Sequence, residues 1–209
     1  MRWCLALVLS ALPALAEGER AGEFAYYILS LSWSPTFCAL TGDARDEDQC
    51  DPRHDFGFTL HGLWPQYEFG WPSHCRTGAL DPSRAETRAM ADIMGSSGLA
   101  WYEWKKHGRC SGLAASEYFA ASRQAYEKVK IPEILARLRK DVKLPVHVVE
   151  AAFVEANPGL DATMITVTCE AGRIQEARIC LTRDLDFRPC GLDAARDCRM
   201  EDALMEAVR

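Results

Sequence analysis

Two short segments hold side chains that could do chemistry together. In WYEWKKHGRC, Trp101 to Cys110, residues Glu103, Lys106 and His107 are spaced i, i+3 and i+4, so in a helix they share one face. A carboxylate one turn before a histidine can raise the imidazole's pKa and fix its orientation. A lysine on the same face can stabilise an anion that gains charge. In TLHGLWP, Thr59 to Pro65, His61 sits where a strand is expected to break at Gly62. An imidazole there can face a cleft with backbone close to a ligand. Each segment also has an ordinary reading. The first could be a charge-laced helix surface, and the second a buried structural histidine beside Leu63 and Trp64.

Two imidazoles in two segments change the balance. Breaking a phosphodiester without a metal needs one group to take a proton and another to give one, and imidazole serves both roles near neutral or mildly acidic pH. If the ester is RNA, the 2′-OH is the nucleophile and the protein need not supply one. A 2′,3′-cyclic phosphate then forms, and DNA is not cut by this route. The competing chemistry is a zinc hydrolase built on His61, His74 and His107. It lacks a paired-ligand spacing such as H-E-x-x-H, and no two cysteines form C-x-x-C, so no metal or other cofactor is expected. The spacing does not decide which histidine is acid and which is base.

The elements that must position these residues are mixed. FAYYILSLSW, Phe24 to Trp33, is aromatic and β-branched and predicts a buried strand ended at Ser34-Pro35. Ala39 to Arg53 predicts a loop, and Asp55 to Pro65 a strand that stops at Gly62 and Pro65. Tyr67 to Asp81 predicts a surface loop tied down by Cys75. Helical patterns follow over Pro82–Met94, Leu99–Gly108, the stretch with Tyr118, Phe119, Ser122 and Tyr126, Ile131–Arg139 and Val146–Ala156. MITVTCE and IQEARICLT predict two paired strands joined near Gly172. Strands and helices alternate without a βαβ rhythm. The expected fold is therefore α+β, a single domain with a central, mainly antiparallel sheet and several helices.

The opening MRWCLALVLSALPALA has a basic start, a short apolar run and a small-x-small end. It predicts a signal peptide over residues 1–16, leaving a domain over 17–209 that is periplasmic or secreted and has no membrane anchor. Of nine cysteines, Cys4 leaves with the leader, and an even set of eight in an exported chain predicts a disulfide-stapled fold. The chain carries a formal net charge of −6, a poor field for gripping a polyanion at large. Any phosphodiester must meet a local positive site.

TLHGLWP and the EWKKHGRC core closely resemble the two signature segments of the ribonuclease T2 family, in matching order and separation. The similarity runs from LSLSWSPTFC to the Cys-bearing C-terminal strands. It implies an α+β fold and a cyclising endoribonuclease of low base specificity, acting on single-stranded RNA. It implies His61 as proton donor, His107 as proton acceptor, and Glu103 and Lys106 as the pair that stabilises the phosphorane. It also implies disulfides Cys75–Cys110, Cys38–Cys50, Cys169–Cys198 and Cys180–Cys190. Trp64, Gln66, Tyr67 and Tyr102 are candidate substrate-binding residues, able to stack on or hydrogen-bond a base or phosphate. Two departures from the family pattern stand out. Tyr102 occupies a position where many members carry a third histidine, and Gln66 one where an acidic residue is common. A tyrosine hydroxyl donates a hydrogen bond but carries no charge at neutral pH. Lys105 and Arg109 lie off the face of His107. No obligate protein partner is evident, so a monomer is expected. The alternative function is a non-catalytic RNA-binding or inhibitory protein that kept the fold.

Overall fold

The structure, a computed structural model, describes residues 19–209; the expected leader and Cys4 lie outside them. Strand β1, Tyr26–Trp33, alternates cleanly. Tyr27, Leu29, Leu31 and Trp33 enter the main core, while Tyr26, Ile28, Ser30 and Ser32 take the opposite face. The one-turn helix α1, Ser34–Phe37, starts with Pro35 near its N-terminus, where a missing N–H costs nothing. The expected loop over Ala39–Arg53 is instead a chain of short helical turns, a π turn at Cys38–Gly42 and 3₁₀ turns at Asp43–Arg45 and Asp48–Cys50, closed by the Cys38–Cys50 disulfide.

Strand β2, Phe58–Gln66, corrects the expectation that it stops at Gly62 and Pro65. It is the edge of the sheet, where a proline removes no ladder hydrogen bond, and a β-bulge absorbs the irregularity at Gly62. The helical span Pro82–Met94 divides into α2, Arg84–Arg88, and α3, Ala91–Met94. Ser83 and Glu86 form a capping box that starts α2, and Gly95 in the left-handed region ends α3. Helix α4, Ser97–Lys106, is capped by Ser96, whose hydroxyl accepts from Leu99 N. Helix α5, Ala115–Lys128, buries Tyr118, Phe119, Ser122 and Ala125. The predicted helix over Ile131–Arg139 shrinks to the single turn α6, Glu133–Ala136.

Strand β3, Val142–Leu144, precedes α7, Val146–Ala156, whose Val149 and Phe153 are core residues. Strands β4, Ile165–Glu170, and β5, Arg173–Leu181, form the expected hairpin through Gly172, and β6, Ala203–Met205, follows. Neither β3 nor β6 was anticipated, because three residues are too few to show a period. The sheet order is β2-β1-β5-β6-β3, with β4 also paired to β5. Every pairing is antiparallel except β5–β6. Helices α4, α5 and α7 supply the main core on one face of the sheet. The other face of β1, β2 and β5 carries a small cluster of Tyr26, Ile28 and Cys180, and it is otherwise polar.

All four expected disulfides are present: Cys38–Cys50, Cys75–Cys110, Cys169–Cys198 and Cys180–Cys190. Cys75–Cys110 ties the loop after β2 to the segment after α4, and His74 N donates to Lys106 O at 2.8 Å beside it. The bond spans 35 residues. Loop-closure entropy then predicts that a Cys75→Ala/Cys110→Ala double variant loses roughly 4 kcal/mol, to be read from guanidinium unfolding of the two proteins.

Candidate active site

A local error in pairing sets the position of His61. Ser30 of β1 faces Gly62 while Leu31 faces Leu60, so His61 is the unpaired residue of a bulge. A bulge reverses the alternation of the strand beyond it. Phe58 and Leu60 face the core on one side of it and Leu63 does so on the other. His61 and Trp64, three residues apart, consequently share the polar face, with ring centroids 5.1 Å apart in an edge-on arrangement.

Helix α4 packs against β2 and inserts Glu103 into this face. Its carboxylate is 1 % exposed. Oε2 accepts from Trp64 Nε1 at 2.6 Å, and Oε1 lies 3.6 Å from His61 Nε2. Gly62 makes the approach possible, since a methyl group there would overlap Glu103 Oε2 and lie 2.5 Å from Trp64 Nε1. His107 follows α4 as its C-terminal cap, where the chain leaves helical geometry at φ −117°. Its ring is 4 % exposed and stacks on Trp64 at 5.1 Å, with 27° between planes. Trp64 is thus a wall between the two imidazoles, edge-on to one and stacked on the other.

The geometry changes the expected pairing of Glu103 with His107. A shared helical face suggested that Glu103 would raise the pKa of His107, but Glu103 addresses His61 and Trp64 instead. His107 is held down to about 3 by burial, and then by the positive charges of Lys106, His61 and His74. Its Nδ1 is buried and accepts or donates no hydrogen bond among the described residues. Burial also disfavours charge on His61. The hydrogen bond and charge of Glu176, joined by the charge of Glu103, outweigh that burial and the opposing Arg178, so the His61 pKa is raised. Glu103 is itself pushed up by burial, against the pull of His61, the Trp64 N–H and Lys106.

Two cavities open beside the histidines. One of about 230 Å³ is lined by Trp64, Gln66, Trp71, Lys106, His107 and Arg178, among others. The other, of about 410 Å³, is lined by His61 with Ser32, Arg45, Gln49, Leu99 and Tyr102. Gln66 therefore lies beside His107, whereas Tyr102, half exposed, lies on the His61 side with Lys106 Nζ 5.6 Å above its ring. Tyr67 does not join either group; it turns toward Glu19. Lys105 and Arg109 both pair with Asp81, at 3.7 and 2.6 Å, so neither brings a free charge to the cleft. Cys38, Asp43 and Cys50 converge within 4.8 Å of one another, but both sulfurs are locked in one disulfide and bind no metal as thiolates.

Glu176 and Arg178 of β5 were absent from the expected site. Glu176 Oε1 lies 2.5 Å from His61 Nδ1, and Arg178 Nε donates to Glu176 Oε2 at 2.8 Å. The Arg178 guanidinium also sits 5.2 Å from the centre of the Trp64 ring. Their only signal in the sequence is the polar half of an alternating strand, which ordinarily marks a solvent face.

Comparison with known proteins gives a consistent family. A model described as the Ribonuclease T2 family matches residues 24–190. A ribonuclease of Aeromonas hydrophila is 44% identical over 117 residues, covering 56% of this chain and 51% of that protein. A probable ribonuclease of Haemophilus influenzae is 30% identical over 119 residues, covering 51% of this chain and 44% of that one. The chain thus spans about half the length of these curated relatives. Among solved structures, an RNase-related protein from Calystegia sepium shares the fold with a TM-score of 0.68 at 24% identity, over 90% of this chain and 99% of that one.

The contact at Gly62 yields a test of the assembly itself. Gly62→Ala forces the Glu103 carboxylate and the Trp64 indole away from position 62, an overpacking that costs about 1–3 kcal/mol. Its melting temperature is expected to fall by several degrees, measured by calorimetry against the wild type.

Proposed function

Because the chain belongs to the ribonuclease T2 family, we propose that it is an endoribonuclease that cleaves single-stranded RNA by metal-independent transphosphorylation through a 2′,3′-cyclic phosphate. The observation that carries this reading is the split environment of the two histidines on either side of Trp64. One imidazole is favoured in its charged form and the other is held neutral, which is what a paired acid and base require.

Neutral His107 takes the proton of the 2′-OH as its oxygen attacks phosphorus. Protonated His61 gives its Nε2 proton to the departing 5′-oxygen as the P–O5′ bond breaks. Lys106, in the cavity with His107, offers a positive charge to the phosphorane oxygens. Glu103, 3.6 Å from His61 Nε2, stands with Lys106 as the second member of the pair that stabilises the phosphorane. The cyclic ester is then opened by water with the two histidines exchanging roles. Trp64 and Gln66 line the cavity a base would enter, and Tyr102 borders the neighbouring one. Four disulfides suit work outside the cytoplasm, in the periplasm or after secretion, and the active unit is a monomer that needs no protein partner.

Cleavage of single-stranded RNA in EDTA, leaving 2′,3′-cyclic phosphate ends, is the expected result for the wild type. His61→Ala and His107→Ala are each expected to lose at least about 100-fold in kcat. Undiminished cleavage by either variant would overturn the assignment. Binding of RNA without cleavage at acidic and neutral pH would favour a non-catalytic RNA-binding protein, and activity lost in chelator a metal enzyme.

The pH dependence follows from the signs of the two shifts. The base works when neutral, so it is available above about pH 3 and is lost as pH falls through that value. The acid works when charged, so it is available below the raised pKa of His61 and is lost as pH rises through it. The expected profile of kcat/KM is a plateau reaching well into the acidic range, with an alkaline limb that belongs to His61.

A further inference from the structure

Glu176 and His61 lie on strands that do not pair with each other. Strand β1 runs between β2 and β5, so their backbones are about 10 Å apart at ordinary strand spacing. The two side chains meet because the strand between them carries small residues on that face. Ser32 is opposite both Thr59 and Glu176, and Ser30 is opposite both Gly62 and Arg178. Glu176 is 3 % exposed. Its two oxygens are divided, Oε1 to His61 Nδ1 at 2.5 Å and Oε2 to Arg178 Nε and Nη2 at 2.8 and 2.6 Å.

A buried carboxylate placed this way costs desolvation, and an apolar pair of similar volume would stabilise the sheet as well or better. Its placement has a consequence for the ring it touches. With Nδ1–H donated to Glu176, the proton that His61 can exchange is the one on Nε2, which faces Glu103. Arg178, by holding the other oxygen, keeps the carboxylate from rotating away.

We propose that Glu176, held by Arg178, is the positioning residue for His61, fixing its tautomer and aiming Nε2 at the leaving oxygen of the RNA. The proposal rests on the reading of His61 as proton donor. When the Nε2 proton passes to the 5′-oxygen, the ring is left neutral with its remaining proton on Nδ1, still bonded to Glu176. Nε2 is then the basic nitrogen, ready to accept a proton from the water that opens the cyclic ester. The charged and titratable groups around His61 are Glu176 and Arg178 of β5, Tyr102, Glu103 and Lys106 of α4, His107, and Arg45 and Glu47 across the cavity.

The test compares wild type with Glu176→Gln, which keeps the shape and removes the charge. Two readouts are taken: NMR titration of the His61 ring, and kcat/KM for RNA against pH. The expected result is a His61 titration and an alkaline limb both moved down by about one to two pH units. Cleavage is then reduced roughly ten-fold or more at pH values above both limbs, and progressively less as pH falls below the limb of the variant. Glu176→Asp is expected to move both in the same direction by a smaller amount, and it carries the test if the glutamine variant does not fold. A role confined to stability would lower the melting temperature and leave the limb in place, which overturns the proposal. Full activity of His61→Ala would instead remove the reading on which it rests. A dead His61→Ala with an unmoved limb in Glu176→Gln would remove this inference alone.

Discussion

Glu103 reaches His61 and Trp64 only because β2 presents no side chain at position 62. That single close approach fixes how near α4 can lie to the sheet, and most of the cleft follows from it. The Trp64 N–H locks onto the carboxylate, so the indole stands upright between the two imidazoles. His107 comes three residues after Glu103's neighbour Trp104, whose ring is fully buried in the core and whose Nε1 donates to Asp81. The helix is thereby pinned on both sides, by a carboxylate in the site and an indole in the core. The Cys75–Cys110 bond then holds the chain where the helix ends.

The charges in this small space are arranged in an alternating series. Arg178, Glu176, His61 and Glu103 follow one another across three elements, and Lys106 and His107 stand beyond Trp64. Glu176 illustrates the strength of the coupling. Burial alone would raise its pKa, yet the hydrogen bond and charge of His61, with Arg178, bring it down to about 2. It is therefore held as an anion, and its charge is what raises the pKa of His61 against burial. His107 has no such partner and stays neutral. The two histidines differ because one belongs to an ion pair and the other to a stack of aromatic rings, on a chain whose overall charge is negative.

Much of this was legible in the sequence. The long elements with clear periods, β1, α4, α5, α7 and the β4–β5 hairpin, lie where alternation or helical spacing puts them. The residues His61, Glu103, Lys106 and His107 do come to one region. What could not be read was their order of contact. Helical spacing placed Glu103 beneath His107, but His107 is where the helix stops, and Glu103 faces the neighbouring strand. Glu176 and Arg178 were hidden for a different reason. Alternation says that they share a face of β5, but not that the face is covered. That depends on β1 lying between β2 and β5 with serines at the crossing, a fact of sheet order. The run through Gly62 and Pro65 was missed because two strand-breaking residues are tolerated on an edge strand with a bulge.

The bulge has a meaning of its own. With His61 struck out, β2 would be written FTLGLWPQ, and its letters would alternate between core and cleft without a fault: Phe58, Leu60 and Leu63 inward, Thr59, Gly62, Trp64 and Gln66 outward. The pairs already formed with β1 on either side of position 61 would then be consecutive. The strand is a complete sentence into which one extra character has been inserted. From the viewpoint of folding alone, His61 is the residue the sheet has least use for. The one residue that interrupts the ladder is also the one that brings an imidazole into the cleft.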